Sequence, residues 1–126
     1  VVFTPNGQKV LTANEGEADE ATGLNNPEGS VSIVDVASRT VATASFAPWN
    51  GQKASLQAAG VRLSDVNNIT LAQDVEPEYV TINAAGTIAY VTLQENNAIA
   101  VVDIALHARR ADDVHGRRSR IHRDCQ

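Results

Sequence analysis

Alternating apolar and polar residues mark two stretches of the chain, one in its first third and one near residue 100. The apolar positions are Val31, Ile33 and Val36 in the first stretch, and Ile99, Val101 and Ile104 in the second. A spacing of two residues places such side chains on one face of a β-strand. We therefore predict that each stretch is a strand with one buried face.

Both stretches belong to a longer internal repeat. Residues 4–17 align with residues 83–97, and residues 29–41 align with residues 97–109. Each copy holds a turn ending in glycine (Gly7 or Gly86), a strand, a polar corner, and a second strand ending in an aspartate (Asp35 or Asp103). An aspartate at that point can bond the backbone amides of a turn. Each copy is predicted to be a β-hairpin, and the first corner is extended by about eleven residues.

The segment between the copies predicts one helix and one further strand. Residues 50–60 indicate a short helix, with Asn50 as its N-cap and Gly60 as its C-terminal stop. Trp49 and Leu56 are expected to pack this helix on a sheet. Residues 77–82 predict a strand entered from Pro77, because proline is tolerated at the first position of a strand.

Short antiparallel strands joined by turns are typical of sandwiches and of propeller blades. Two copies of a hairpin unit cannot close a ring. The predicted fold class is therefore all-β: a partial β-propeller of about two blades of antiparallel meander, with one short helical insertion. Blade faces left uncovered would make the isolated chain weakly folded or prone to associate.

Charge divides the 126-residue chain into two parts. Residues 1–105 carry twelve acidic and four basic residues, whereas residues 106–126 carry six arginines, three acids and all three histidines. We predict a propeller fragment over 1–105, followed by a basic tail over 106–126. Clustered arginine can bind phosphate, but this tail lacks aromatic residues for stacking on bases. We favour a disordered or non-native tail and no nucleic-acid partner.

In that interpretation the three histidines, His107, His115 and His122, are exposed to solvent and bind no metal. Cys125 is an isolated thiol that gives no information on the redox compartment. The remaining chain has ordinary globular composition, with 43% apolar residues. It shows no membrane-spanning run, so no membrane insertion is expected in this segment.

Residues 74–104 resemble a blade of the YVTN-type β-propellers, in which a turn precedes a Tyr-Val-Thr strand and a Val-Ile-Asp strand. Together with residues 11–20 and 50–63, they resemble the choice-of-anchor I domain, a family that includes the mesenchyme-specific cell-surface glycoproteins. The resemblance covers residues 1 to about 105. It implies a secreted, periplasmic or cell-surface propeller, whose partners would be an extracellular ligand or the remaining blades.

Acidic and amide side chains concentrate in the corners at residues 14–20, 73–78 and 94–96. If these corners share one face of the propeller, their oxygen atoms would converge, and calcium prefers such hard oxygen donors. The candidate metal ligands are Glu15, Glu17, Asp19, Glu76, Glu78 and Glu95, accompanied by Asn14, Asp74, Gln94 and Asn96. The opposing interpretation is a solvated acidic rim, in which Glu15 and Glu95 only cap their corners.

The catalytic residue types are sparse in residues 1–105, which contain neither histidine nor cysteine. No nucleophile triad, phosphate-binding glycine loop or zinc spacing is present there. We therefore favour a non-enzymatic, extracellular segment that binds calcium or a partner through its acidic corners. The alternatives are part of a calcium-dependent phosphatase or phytase-like propeller, which could use Glu76 and Glu78 as an acid–base pair, and a passive spacer.

Overall fold

The strands form two antiparallel sheets of four strands each in a computed structural model that describes residues 1–19, 25–64, 68–108 and 120–122. The first sheet contains, in spatial order, β1 (Val2–Phe3), β2 (Lys9–Asn14), β3 (Ser30–Asp35) and β4 (Val41–Ser45). The second contains β5 (Pro77–Ile82), β6 (Ile88–Leu93), β7 (Ala98–Asp103) and β8 (Arg120–His122). The predicted all-β class is confirmed, and the arrangement is consistent with a partial propeller.

Four short helical elements accompany the sheets in the described residues. A 3₁₀ helix (Ala47–Gln52) leads directly into α1 (Lys53–Ala58), and both lie between the sheets in sequence. Helix α2 (Leu71–Asp74) precedes β5, and α3 (Ile104–Ala108) follows β7. Within the described ranges, no helix has the length and apolar character needed to cross a bilayer.

The internal repeat is confirmed by the strand register. Lys9 pairs with Asp35 in the first sheet, and Ile88 pairs with Asp103 in the second. From these pairs, Leu11 is equivalent to Tyr90 and Ile33 is equivalent to Val101. We call the face that carries these residues the front face of each sheet, and the opposite face the back face.

The two sheets bury opposite faces against each other. In the first sheet the front face is buried, with Leu11 at 0% and Ile33 at 2% exposure. In the second sheet the back face is buried instead, through Ala89, Val91, Leu93, Ala98, Ala100 and Val102. One hydrophobic core contains both sets of residues. The front face of the first sheet therefore packs on the back face of the second, as stacked sheets of the same orientation must.

This stacking corrects the predicted buried face of β7. Ile99 and Val101 are only half-buried, although Ile104 is buried as expected. They occupy the front face, which is equivalent to the buried Val31 and Ile33 but has no sheet against it among the described residues. Val36 is also exposed, at 47%, because it lies in the turn that follows β3.

The helical insertion was correctly predicted, but its N-cap was not. Helix α1 begins at Lys53 with Gln52 as its N-cap, and Asn50 lies within the preceding 3₁₀ helix, which has a proline in its first turn. The Asn50 Oδ1 accepts a hydrogen bond from the Ala72 backbone amide at 2.9 Å, so Asn50 supports α2. Gly60 does terminate α1, because the amides of Gly60 and Val61 bond back to Gln57 and Leu56.

Two elements fall within the predicted tail, namely most of α3 and the short strand β8. The Asp103 Oδ1 accepts a hydrogen bond from the Leu106 amide at 2.9 Å at the start of α3. His107 is buried at 5% exposure, which corrects its predicted exposure to solvent. It lies three residues after the buried Ile104, a spacing that places both on one side of a helix. His115 and Cys125 lie outside the described residues, and the limits of the tail stay a prediction.

Candidate cation-binding corner

Three backbone segments meet at the corner where β2 ends, β3 and β5 begin and β6 turns into β7. Gly29 is the point of closest approach, because a Cβ atom at this position would lie against the Val75 carbonyl oxygen and 2.8 Å from the Pro77 Cδ. It would also lie 3.3 Å from the Glu15 carbonyl oxygen. Only a residue without a side chain fits here, so Gly29 joins the acidic segments on either side of it.

Gly16 brings the first corner against the same site. Its φ of +71° lies in the left-handed region, which favours glycine. A Cβ atom at Gly16 would lie 2.7 Å from the Gly29 nitrogen and 2.9 Å from the Pro27 carbonyl oxygen. The chain therefore folds back tightly after Glu15, and both Glu15 and Glu17 stay beside the strand β5 entry.

Asn96, in the turn between β6 and β7, connects that turn to the segments at Arg62 and at Asp74–Glu76. It is buried at 3% exposure, and its Oδ1 accepts a hydrogen bond from the Glu76 amide at 3.1 Å. Its Nδ2 donates to the carbonyl oxygens of Arg62 at 3.1 Å and Asp74 at 2.8 Å. The Asn96 carbonyl oxygen also accepts from the Arg62 amide at 2.8 Å. The side chain of Asn96 thus holds together the backbone at Arg62, Asp74 and Glu76.

The carboxylates at this corner disfavour the ionised form of Glu76. Glu76 is half-buried, whereas Glu15, Glu17 and Glu95 are exposed around it. Partial burial raises the pKa of Glu76 above its usual value of 4.5, and the negative charges of Glu15, Glu95, Glu17 and Asp74 raise it further. Three other predicted ligands, Glu15, Glu17 and Glu95, therefore lie near enough to Glu76 for their charges to act on it.

The other predicted residues have different surroundings. Glu78 is half-buried on β5, beyond the buried Pro77, and Asp19 is exposed in the extended first corner, where its amide bonds the Asn25 carbonyl. Neither is among the charges that raise the pKa of Glu76. Within the described residues, no group of three or more His, Cys, Asp or Glu side chains is already arranged to hold a metal ion. The predicted calcium site thus stays a prediction.

Among the described residues, Asp74 is the acid of this corner that forms an ion pair. Its Oδ2 accepts a hydrogen bond from the Ser64 amide at 2.7 Å and forms an ion pair with the Lys53 Nζ at 3.2 Å. Asn14 is also engaged, since its Nδ2 donates to the hydroxyls of Ser30 and Ser32. The described residues contain one other ion pair, Lys9 with Asp35, at the opposite end of the first sheet. Neither pair includes Glu15, Glu17, Glu76 or Glu95.

Two parts of this corner were missed from the sequence. Helix α2 carries a capping box in which the Gln73 amide bonds the Thr70 hydroxyl and the Thr70 amide bonds the Gln73 side chain. The spacing Thr-x-x-Gln was a usable signal for it. The structural role of Asn96 had no such signal, because it depends on carbonyl groups 22 and 34 residues away in sequence.

Comparison with known proteins identifies the type of domain. A family model described as the choice-of-anchor I domain matches residues 1–116, which confirms the resemblance noted above and extends it past residue 105. No curated protein and no solved structure matches the chain. The family match supports a surface-associated and non-enzymatic domain.

Proposed function

The chain belongs to the choice-of-anchor I domain family, and on this premise we propose that it is an extracellular β-propeller segment that binds calcium through its acidic corner. The supporting observation is that Gly29 and Asn96 hold together the backbones that carry Glu15, Glu76 and Glu95. The ligands would be Glu15, Glu17, Glu76 and Glu95. Their carboxylate oxygens are the donor type that calcium selects.

The charge balance of the corner favours a cation as the ligand. Like charges held together by a rigid backbone repel one another, and that repulsion is relieved when a cation binds between them. Glu76 provides a half-buried carboxylate, while the exposed side chains of Glu15, Glu17 and Glu95 have room to rotate towards it. A transition metal is disfavoured at this site, because its described side chains offer oxygen donors only.

Calcium titration of the 126-residue chain tests the proposal. We expect heat of binding in calorimetry and a rise in melting temperature, since a ligand that binds only the folded state stabilises it. The triple variant Glu15→Gln, Glu76→Gln, Glu95→Gln should lose both effects. The matched control is Glu28→Gln, which removes one exposed charge that is not among those acting on Glu76. Absence of both heat and stabilisation in the parent chain contradicts the proposal.

A phosphatase assay separates the enzymatic alternative. Hydrolysis of a chromogenic phosphomonoester that is abolished by a chelator would favour a calcium-dependent phosphoesterase. Calcium binding without turnover would favour a binding module. A chain that shows neither response would be a passive spacer.

A further inference from the structure

The front face of the second sheet is an apolar surface without a partner among the described residues. Tyr90 is 43% exposed there, and its neighbours Ile99 and Val101 are half-buried. Tyr79, on β5, is 71% exposed. Large apolar side chains that lie together at a surface usually mark an interaction site.

The packing of the two sheets within the chain shows how such a front face is covered. The equivalent front face of the first sheet is covered by the back face of the second sheet, and the segment at Val75–Pro77 runs past Gly29. Asn97 is the equivalent of Gly29 in the second sheet, since Ser30 and Ala98 hold equivalent register positions. A groove of about 220 Å³ opens at this place, lined by Thr92, Leu93, Gln94, Asn97, Ala98 and Ile99.

The back face of the first sheet offers the complementary surface. Phe3, Val10, Val34 and Val41 form one cross-strand row over all four strands. Phe3 and Val41, at the ends of this row, are 61% and 57% exposed. The polar part of the same face is internally paired, because Asn14 donates to Ser30 and Ser32. This face can therefore be covered without leaving those two hydroxyls unpaired.

We propose that two copies of this chain associate head to tail, with the front face of the second sheet of one copy against the back face of the first sheet of the next. This contact repeats, between molecules, the front-to-back packing that already joins the two sheets within one molecule. Such a contact is heterologous, so it leaves one free surface of each kind and allows further copies to add. It does not depend on the proposed calcium site.

Sedimentation velocity over concentrations on the order of 1 µM to 1 mM tests the association. We expect the average mass to rise with concentration and to pass beyond that of a dimer. Tyr90→Arg disrupts one surface and Val34→Arg disrupts the other, so each should weaken association at least about tenfold. Ala54→Arg is the matched control, since Ala54 is exposed on α1 and belongs to neither surface. Thermal melts of each variant verify that the fold is retained.

Mixing the two disrupted variants gives the decisive result. Each retains the surface that the other lacks, so a one-to-one mixture should form a dimer and nothing larger. A parent chain that is monomeric at every concentration overturns the proposal. It is also overturned if Val34→Arg associates as the parent does while Tyr90→Arg does not, because that outcome indicates a symmetric contact between two second sheets.

Discussion

Carboxylates at the two ends of the first sheet have opposite electrostatic surroundings. At the turn after β3, Asp35 accepts hydrogen bonds from the Ser38 amide and hydroxyl and pairs with the Lys9 Nζ at 2.9 Å. These contacts hold the pKa of Asp35 well below its usual range. At the acidic corner, burial and neighbouring carboxylates raise the pKa of Glu76. The charge of Asp35 thus stabilises the turn after β3. At the acidic corner, the neutral residues Gly29 and Asn96 hold the backbone together although the neighbouring carboxylates repel one another.

This difference separates a carboxylate that the fold satisfies, Asp35, from one that is a candidate for ligand binding, Glu76. Asp35 already has its donors and its cation, so it is satisfied by the fold alone. Glu76 is surrounded by acids and has no ion-pair partner among the described residues. Sites that are electrostatically unfavourable in the free protein are candidates for ligand binding. The neutral contacts of Asn96 and Gly29 should therefore carry the stability of the corner, and the charges should reduce it.

Asn96→Ala should give the largest loss of stability. It removes three side-chain hydrogen bonds and leaves the Glu76 amide and the carbonyl oxygens of Arg62 and Asp74 unpaired in a buried place. We expect a loss of about 3 kcal/mol in the free energy of unfolding, measured by urea denaturation. Gln94→Ala is the control, because Gln94 is exposed on the same turn. A loss no greater than that of the control would contradict the assigned role of Asn96.

Gly29→Ala should cause the second-largest loss of stability. The new Cβ atom would press against the Val75 carbonyl and the Pro77 ring, so the two backbone segments must separate. The expected loss is about 2 kcal/mol, read from the same denaturation curves. Gly51→Ala provides the comparison, since a Cβ atom at Gly51 has nothing within 4 Å. Equal effects at the two glycines would show that the corner is not tightly packed.

Glu76→Gln should have a smaller effect and the opposite sign. A raised pKa means that the folded state binds the proton of Glu76 more tightly than the unfolded state does, so stability falls as pH rises from 4.5 through the folded pKa. At neutral pH the neutral variant should melt at a higher temperature than the parent chain. Melting curves from pH 4 to pH 8 measure the difference, which should vanish towards the acidic limit.

Asp35→Asn should give the smallest change, and in the destabilising direction. The amide oxygen can still accept from the amides of Ala37 and Ser38, but the charge that attracts Lys9 is lost. Because the folded pKa is lowered, the contribution of the charge is present above the unfolded value of 3.8 and is lost as pH falls below it. Parent and variant should therefore differ in melting temperature at pH 7, and the difference should shrink steadily as pH falls from 3.8 towards the lowered folded pKa. Added salt should also reduce the difference.

The sequence predicted the local features of the fold well. The strand at Pro77–Ile82 has the predicted bounds, and Asp35 and Asp103 bond backbone amides as expected. Gly60 ends its helix, and Glu15 and Glu95 flank the same corner. Each of these features follows from residue types within a few positions of one another. Periodicity and turn chemistry are sufficient for such predictions.

The misplaced features depend on which surfaces meet. Ile99 and Val101 have the same spacing as Val31 and Ile33, but stacking two equivalent sheets covers the front of one and the back of the other. Strand β7 is apolar on both faces, so its alternation could not reveal the buried one. Asn50 and His107 were misplaced for a related reason, because Asn50 bonds α2 and α3 contacts β3 and β4. Such contacts between distant segments leave no local pattern.

The front-to-back packing also has a consequence for synthesis on the ribosome. The first sheet is complete once residue 45 has been made, but the strands that cover Leu11, Val31 and Ile33 follow only at residues 77–103. The apolar front face of the first sheet is therefore exposed for several seconds at usual elongation rates. During that interval the nascent chain is open to aggregation and to binding by chaperones, and the order of the two repeats makes the earlier sheet the vulnerable one.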